Sequence, residues 1–379
     1  MGNKKRKDIR VNEEKERILN PKRLERKRQE RRFRILAVCV GIPAAVLLIA
    51  GVSILFVSAV GKSRLKRVSA EQPELAAAVP TEAPAEEETE NWQEGWVKYQ
   101  GQIYAYNEDI LTFLFMGIDK SDKTVKKVAE GTNGGQADAL FLLALDPHSQ
   151  KASVIGINRN TMAEVDIYNE EGAYVNTVQA QIAVQHGFGN GVEESCEYQK
   201  EAVSRLFYRL PIHGYAAVNM SAIPELNDIV GGVDVTVLED MTARVPTFVE
   251  GATVHLEGED ALIYVKSRDR NVFGSADKRL ARQKQYLTGF IRAVRTAAER
   301  DISTVVKLYQ AAVPMMTTDI TLDEAVYLAS QALDYSLGSE DFHMLEGESV
   351  MGERFEEYYI DETALYELIL DVFYEPVEP

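Results

Sequence analysis

The chain has 379 residues, 42 Lys/Arg against 59 Asp/Glu, a formal net charge of −17 and 45% hydrophobic residues. This length supports one or two domains with a sizeable core. Of its two cysteines, Cys39 falls in a long apolar run and only Cys196 lies beyond it, so no disulfide can staple the rest of the chain, which must rely on its own core.

The charge is uneven. Residues 1–34 hold 15 Lys/Arg and 6 Asp/Glu, so a basic arm precedes an acidic body. The run "ILAVCVGIPAAVLLIAGVSILFVSAV", residues 35–60, is 26 residues long and carries no charge. About 20 apolar residues span a bilayer, and a signal-peptide core is only about 7–15, so the run predicts one transmembrane helix. More basic residues precede it than the Lys62, Arg64, Lys66 and Arg67 that follow it, which puts the N-terminus in the cytoplasm and the body outside. The arm suits nucleic acid or acidic lipid on charge alone, but a topology signal is the preferred reading, and no nucleic-acid partner is expected.

Residues 61–95 contain "EQPELAAAVPTEAPAEEETE", whose Ala, Pro and Glu content predicts an extended, disordered spacer. Residues 96–379 then form the expected folded domain. "WVKYQGQIYAY" predicts a hairpin. "LTFLFMGID", "ADALFLLALD" and "KASVIGINRNT" predict three strands, and the short turn Asp146–Gln150 makes the second and third antiparallel. If the first also pairs antiparallel with the second, Asp119, Asp138 and Arg159 share one sheet edge; the reverse pairing separates Asp119 from the other two. Helices are expected over Glu193–Leu210, after a Ser221 cap in "AIPELNDIV", over "LEGEDALIYVKSR", from Ala276 to about Arg300, around Leu322–Leu337 and over Asp361–Phe373. "GYAAVNM" and "VDVTVL" predict further strands.

The stretch "KSRDRNVFGSADKRLARQ" gathers Lys266, Arg268, Arg270, Lys278, Arg279 and Arg282. Arg279 and Arg282 are three apart and share a helix face. Guanidinium forks match phosphate oxygens bidentately and stay charged when partly desolvated. Taken alone, the stretch is slightly better explained as a solvated face paired with Asp269 and Asp277. Asp119 and Asp138 offer hard oxygen ligands for Mg²⁺, yet alone they read better as turn and cap residues. Arg159 fits a structural ion pair equally well. "HGFGNG", from His186, follows no convincing strand, lacks a P-loop lysine and reads as a turn. The 5 histidines show no ligand-pair spacing, so no His/Cys zinc site is expected. No G-x-S-x-G elbow and no complete Walker A motif occur. Cys196 has no neighbouring His and reads as a small buried or partly exposed residue.

Together "FLFMGID", "QADALFLLALD", "VIGINRNTM", "LNDIVGGVDVTV" and "YVKSRDR…DKRLARQ", in that order between about Leu111 and Leu287, resemble the LytR–CpsA–Psr (LCP) family of bacterial envelope proteins. The resemblance implies a single extracytoplasmic α/β domain with a central mixed sheet flanked by helices, its motif-bearing core at about 111–300 and a helical part at 301–379. It implies a phosphotransferase that moves a glycosyl-phosphate polymer from a polyprenyl-pyrophosphate carrier to a hydroxyl of peptidoglycan or another envelope glycan. An apolar tunnel would take the lipid. By the same resemblance Asp119 and Asp138 would bind Mg²⁺, while Arg159, Lys266, Arg268, Arg279, Arg282 and Gln283 would hold the pyrophosphate.

The chain departs from the family pattern at several places. The arginine expected two residues before Asp138 is Gln136, and the threonine after it is Ala139. Asn158 replaces a proline, Asn160 an aspartate and Lys266 the first arginine of R-x-R. The base for the hydroxyl stays open: Asp119 and Asp138 are the candidates, a metal-bound carboxylate is a poor base, and Asn160 cannot serve. The rival reading is a non-catalytic envelope protein that binds the polyprenyl (pyro)phosphate or the polymer.

Overall fold

The computed structural model describes residues 92–377 apart from 123, 129–133, 270–271, 302, 322, 325–326, 329–334 and 339, together with 60, 62–65 and 72–75. The chain divides into residues 1–60 and 61–379. The basic arm, the apolar run except Val60, Arg270 and much of the helix expected around Leu322–Leu337 lie outside the described residues. Among the described residues no helix is long and apolar enough to cross a membrane.

In chain order the elements begin with the expected hairpin, β1 (Val97–Tyr99) and β2 (Gln102–Tyr106), followed by β3 (Leu111–Ile118), β4 (Ala137–Asp146) and β5 (Lys151–Ile157). A second hairpin, β6 (Met162–Tyr168) and β7 (Tyr174–Gln181), leads into a 3₁₀ helix over Ile182–Phe188 and then α1 (Glu193–Leu206). Next come β8 (Gly214–Asn219), α2 (Ile223–Ile229), β9 (Val233–Thr236), β10 (Thr253–Leu256), α3 (Glu259–Lys266), α4 (Ser275–Arg300) and α5 (Ser303–Ala312). The last elements are β11 (Met316–Thr318), β12 (Phe342–Met344), β13 (Gly347–Met351), β14 (Glu356–Ile360), α6 (Glu362–Phe373) and β15 (Tyr374–Pro376).

The central sheet has six strands in the order β11-β8-β3-β4-β5-β12. It is mixed: β3–β4 and β4–β5 are antiparallel, while β3–β8 and β5–β12 are parallel. This is the α/β architecture expected from the sequence. The antiparallel pairing of β3 with β4 was the open condition, and it brings Asp119, Asp138 and Arg159 to the same end of the sheet.

Side-chain alternation allots the two faces of this sheet. Leu114 and Met116 of β3, Leu140 and Leu142 of β4 and Ile155 of β5 enter one core with α1 and α6. The intervening Phe115, Gly117, Ala139, Phe141 and Val154 point the other way, toward α2 and α4. A run apolar on both faces is what a strand covered on both sides requires. Asp361 caps α6, its carboxylate accepting from the Thr363 and Ala364 amides at 2.9 and 3.1 Å; such a cap contributes about 1 kcal/mol.

Several local expectations are corrected. Ser221 does not cap α2; it sits in a 3₁₀ turn and its Oγ donates to the Asp122 carbonyl at 2.9 Å. Leu256 belongs to β10, not to the following helix, because it pairs with Val233. Among the few described residues of 61–91, Leu65 is 2% and Leu75 0% exposed. The hairpins β6–β7 and β13–β14 were not anticipated.

Candidate active site

Asp138, the second residue of β4, is 5% exposed and faces two arginines. Arg159 Nη1 lies 3.0 Å from its Oδ1, and Arg279 Nη1 donates to its Oδ2 at 2.9 Å. The three come from the start of β4, the loop beyond β5 and the first turns of α4. Arg159 and Arg279 are themselves 7% and 3% exposed. Removing ions from water is costly unless each finds opposite charge and hydrogen bonds. Here Arg159 and Arg279 share one carboxylate, each on its own oxygen.

The Gln136 side chain accepts from Arg159 Nη2. It therefore orients an arginine from the position where the family resemblance called for another. Asp119 lies beside the cluster: its amide donates to the Gln136 carbonyl at 3.0 Å, and its carboxylate pairs with Lys266 Nζ at 2.7 Å. Arg268 is half-buried in the segment after α3.

Arg282 departs from expectation. It is 1% exposed and its guanidinium is engaged by the protein itself. Nη1 donates to the Tyr264 carbonyl, Nη2 donates to the Ser267 carbonyl, and Nε is 3.1 Å from Glu239 Oε1. Burial pulls its pKa below the usual arginine value, opposed mainly by Glu239. Arg282 thus ties the end of α3, and with it the Lys266–Arg268 segment, to α4. Gln283 does the same one step on, donating to the Val265 carbonyl at 3.2 Å.

Behind Arg159 the two asparagines are structural. Asn158 Nδ2 donates to Asp277, and its Oδ1 accepts from the Asn160 amide at 2.8 Å. Ser349 of β13 donates to the other Asp277 oxygen at 2.8 Å, and the Tyr358 amide of β14 donates to the Asn160 carbonyl at 3.0 Å. Asp277, expected to pair with the basic face, accepts from Asn158 and Ser349, and this hairpin was not anticipated. Asp277 stood in the basic stretch, but nothing in its spacing pointed to a partner 119 residues away. His186, read as part of a turn, lies in the last turn of the 3₁₀ helix, and its Nε2 is 3.8 Å from Cys196 Sγ. Cys196 therefore does have a histidine neighbour, supplied by the fold; burial raises its thiol pKa, so it stays protonated.

An apolar cavity of about 500 Å³ lies between the sheet and α4, and its lining includes Ala139, next to Asp138, and Gln283, one turn beyond Arg279. Its floor includes Gly117, Ala139 and Ala216, and its roof Tyr286, Leu287, Phe290 and Val294. Small residues on the sheet face make the room: a Cβ on Gly117 would sit 3.0 Å from that of Ala139. Along α4 one stripe changes character, from Arg279 through Gln283 to the apolar residues a turn or more later. Cations at one end and an apolar trough at the other suit an amphiphile with an anionic head.

Comparison with known proteins gives a consistent picture. Residues 75–369 match the LytR_cpsA_psr family. The polyisoprenyl-teichoic acid–peptidoglycan teichoic acid transferase TagU of Bacillus cereus (strain AH820) is 26% identical over 238 residues, covering 63% of this chain and 73% of that protein. TagV of Bacillus subtilis (strain 168), of the same description, is 25% identical over 226 residues, covering 57% and 51%. The crystal structure of B. subtilis TagV is similar with a TM-score of 0.52 at 22% identity, covering 70% of this chain and 97% of that one. The structure described as TagT bound to LI-WTA gives a TM-score of 0.51 at 19% identity, covering 70% and 89%. At these identities the structural likeness establishes the fold.

Proposed function

The chain belongs to the LytR–CpsA–Psr family, and from that membership we propose that it is a transferase of the bacterial envelope, moving a glycosyl-phosphate polymer from a polyprenyl-pyrophosphate carrier to a hydroxyl of peptidoglycan or another envelope glycan. The observation behind this reading is the Arg159–Asp138–Arg279 cluster together with an apolar cavity whose lining includes Ala139, next to Asp138 in β4, and Gln283, one turn beyond Arg279 in α4. The described activity of TagU and TagV supports the classes of donor and acceptor. The uncharged run over 35–60 with its basic flank supports a single-pass anchor, the N-terminus in the cytoplasm and the body outside.

In this reading the lipid lies in the trough between the sheet and α4, and the pyrophosphate sits against Arg159, Arg279, Lys266 and Arg268. The acceptor oxygen bonds to the sugar-bearing phosphorus. The bond from that phosphorus to the bridging oxygen breaks, the hydroxyl proton is released, and polyprenyl phosphate departs. The arginines act on the charge gathering on that leaving phosphate, the main lever in phosphoryl transfer. Arg282 and Gln283 contribute by holding the Lys266–Arg268 segment in place.

The donor set accepts a hard cation. Asp138 Oδ1 is a buried acceptor without an aligned hydrogen-bond donor. Among the described residues no group of three or more His, Cys, Asp or Glu could hold a metal, so pyrophosphate oxygens would complete the ligands. Asp138 and Asp119 would hold Mg²⁺, which when bound would offset the charge of the pyrophosphate.

The test is incubation of the full-length protein in detergent with a polyprenyl-pyrophosphate-linked sugar, a glycan acceptor and Mg²⁺. Phosphate-linked sugar on the acceptor and free polyprenyl phosphate are expected. Tight retention of the donor without transfer would support the binding-only alternative, which the binding of Arg282 to the Tyr264 and Ser267 carbonyls favours. Failure to retain the donor would remove both readings.

A further inference from the structure

The glycine-rich stretch that starts at His186 takes no direct part in the cluster, yet the fold presses it against the two segments that build it. The 3₁₀ helix holds the Arg159 side by its backbone: the Ala183 amide donates to the Arg159 carbonyl at 3.3 Å, and the Ile182 amide to the Thr161 carbonyl at 2.8 Å. Its other end holds the segment before β4. The Gly134 amide donates to the Gly187 carbonyl at 3.2 Å, and His186 Nδ1 lies 3.0 Å from the Gly135 carbonyl. A carbonyl only accepts, so Nδ1 carries the proton. Burial lowers the ring's pKa to about 4 and keeps it neutral, leaving Nε2 as the acceptor facing Cys196. The His186 amide donates to Gln199 Oε1 of α1 at 3.2 Å.

The backbone there is built for close approach. A Cβ on Gly134 would fall 2.6 Å from the His186 carbonyl oxygen and 2.8 Å from Ser195 Oγ, and Gly135 has φ +86°. Gly135 directly precedes Gln136, which meets Arg159 through its side chain and Asp119 through its carbonyl. Asp138 is two residues further on. One short helix thus grips both sides of the cluster.

We propose that His186 is a positioning residue: its Nδ1–H bond to the Gly135 carbonyl sets the distance between the Gly134–Asp138 segment and Arg159 at which Gln136 and Asp138 meet the guanidinium. The proposal rests on the reading of the cluster as a headgroup site. A histidine that merely fills the core would affect every ligand alike; a positioning histidine affects only the anionic head.

The test compares affinities of the full-length protein in detergent for polyprenyl pyrophosphate and for uncharged polyprenol. His186→Leu removes the donor, whereas His186→Asn keeps an amide N–H near the place of Nδ1. In the Leu variant the pyrophosphate affinity is expected to fall about tenfold with polyprenol affinity unchanged, and Asn to restore most of the loss. Gly134→Ala, which displaces the same segment without touching the ring, is expected to show the same selective loss. Wild-type selectivity in the Leu and Ala variants, or equal loss of both lipids without rescue by Asn, overturns the proposal. If the wild type does not distinguish the two lipids, the headgroup reading fails instead. Amide hydrogen exchange over Gln136–Asp138 then decides the positioning claim: Leu is expected to speed it and Asn to restore it, and unchanged exchange overturns the claim.

Discussion

Arg279 Nη1 lies 2.9 Å from Asp138 Oδ2, joining the start of α4 to the start of β4 across 141 positions of sequence. With Arg159 on the other carboxylate oxygen, two buried guanidiniums meet on one carboxylate. Such a site is stabilised by an anion that binds only the folded state. Polyprenyl pyrophosphate is therefore expected to raise the unfolding temperature, and more so than polyprenol. Equal shifts for the two, measured by scanning fluorimetry, would contradict a headgroup role for the cluster.

Removing the shared carboxylate should cost far more than removing one of its two cations. Asp138→Asn leaves Arg159 and Arg279 buried without that carboxylate and is expected to destabilise by about 3–5 kcal/mol. Arg279→Gln leaves the Arg159–Asp138 pair in place and should cost much less in denaturant unfolding, while retaining less lipid pyrophosphate. An Arg279→Gln variant that retained the lipid as wild type does would remove Arg279 from the headgroup site.

Arg282 is expected to behave differently. A lysine offers a point charge in place of a planar fork and cannot meet the Tyr264 and Ser267 carbonyls and Glu239 together. Arg282→Lys should lose about 2–4 kcal/mol in denaturant unfolding, yet keep copurifying lipid at temperatures where it remains folded. Lipid lost at unchanged stability would return Arg282 to direct contact with the headgroup.

The cavity exists because Gly117, Ala139 and Ala216 leave the sheet face shallow. Ala216→Leu fills part of that room without disturbing a charged group. Stability should stay within about 1.5 kcal/mol of wild type, while mass spectrometry of the purified protein should show less bound lipid. Undiminished lipid would place the tail elsewhere.

Two buried histidines set a pH dependence. Burial lowers both His186 and His213 to about 4, from the ordinary 6.5. The unfolded state therefore takes up protons first, so stability is full above about pH 6.5 and falls as pH drops toward 4, by roughly 3 kcal/mol per histidine at most. Denaturant midpoints at pH 7 and 4.5 measure the drop, and His186→Asn should remove about half of it. An unchanged drop in that variant would assign the acid sensitivity to other groups.

Local pattern carried much of the outcome. The apolar runs of β3, β4 and β5, the short turn between β4 and β5 and the 26-residue stripe of α4 followed from periodicity and turn chemistry alone. These in turn placed Asp119, Asp138 and Arg159 at strand ends, because a strand's end is a property of its own residues. The gathering of Lys266, Arg268, Arg279 and Arg282 was visible as composition, but composition does not say which guanidinium faces a ligand and which faces the backbone. Arg282 binds carbonyls of α3 and the residue after it, Asn158 and Ser349 meet on Asp277, and His186 reaches Gly135 across 51 positions. Backbone carbonyls and amides are common to every residue, so a side chain aimed at one leaves no mark in the sequence. Only the packing of α3, α4, the 3₁₀ helix and the β13–β14 hairpin around the sheet edge decided which polar groups were buried together.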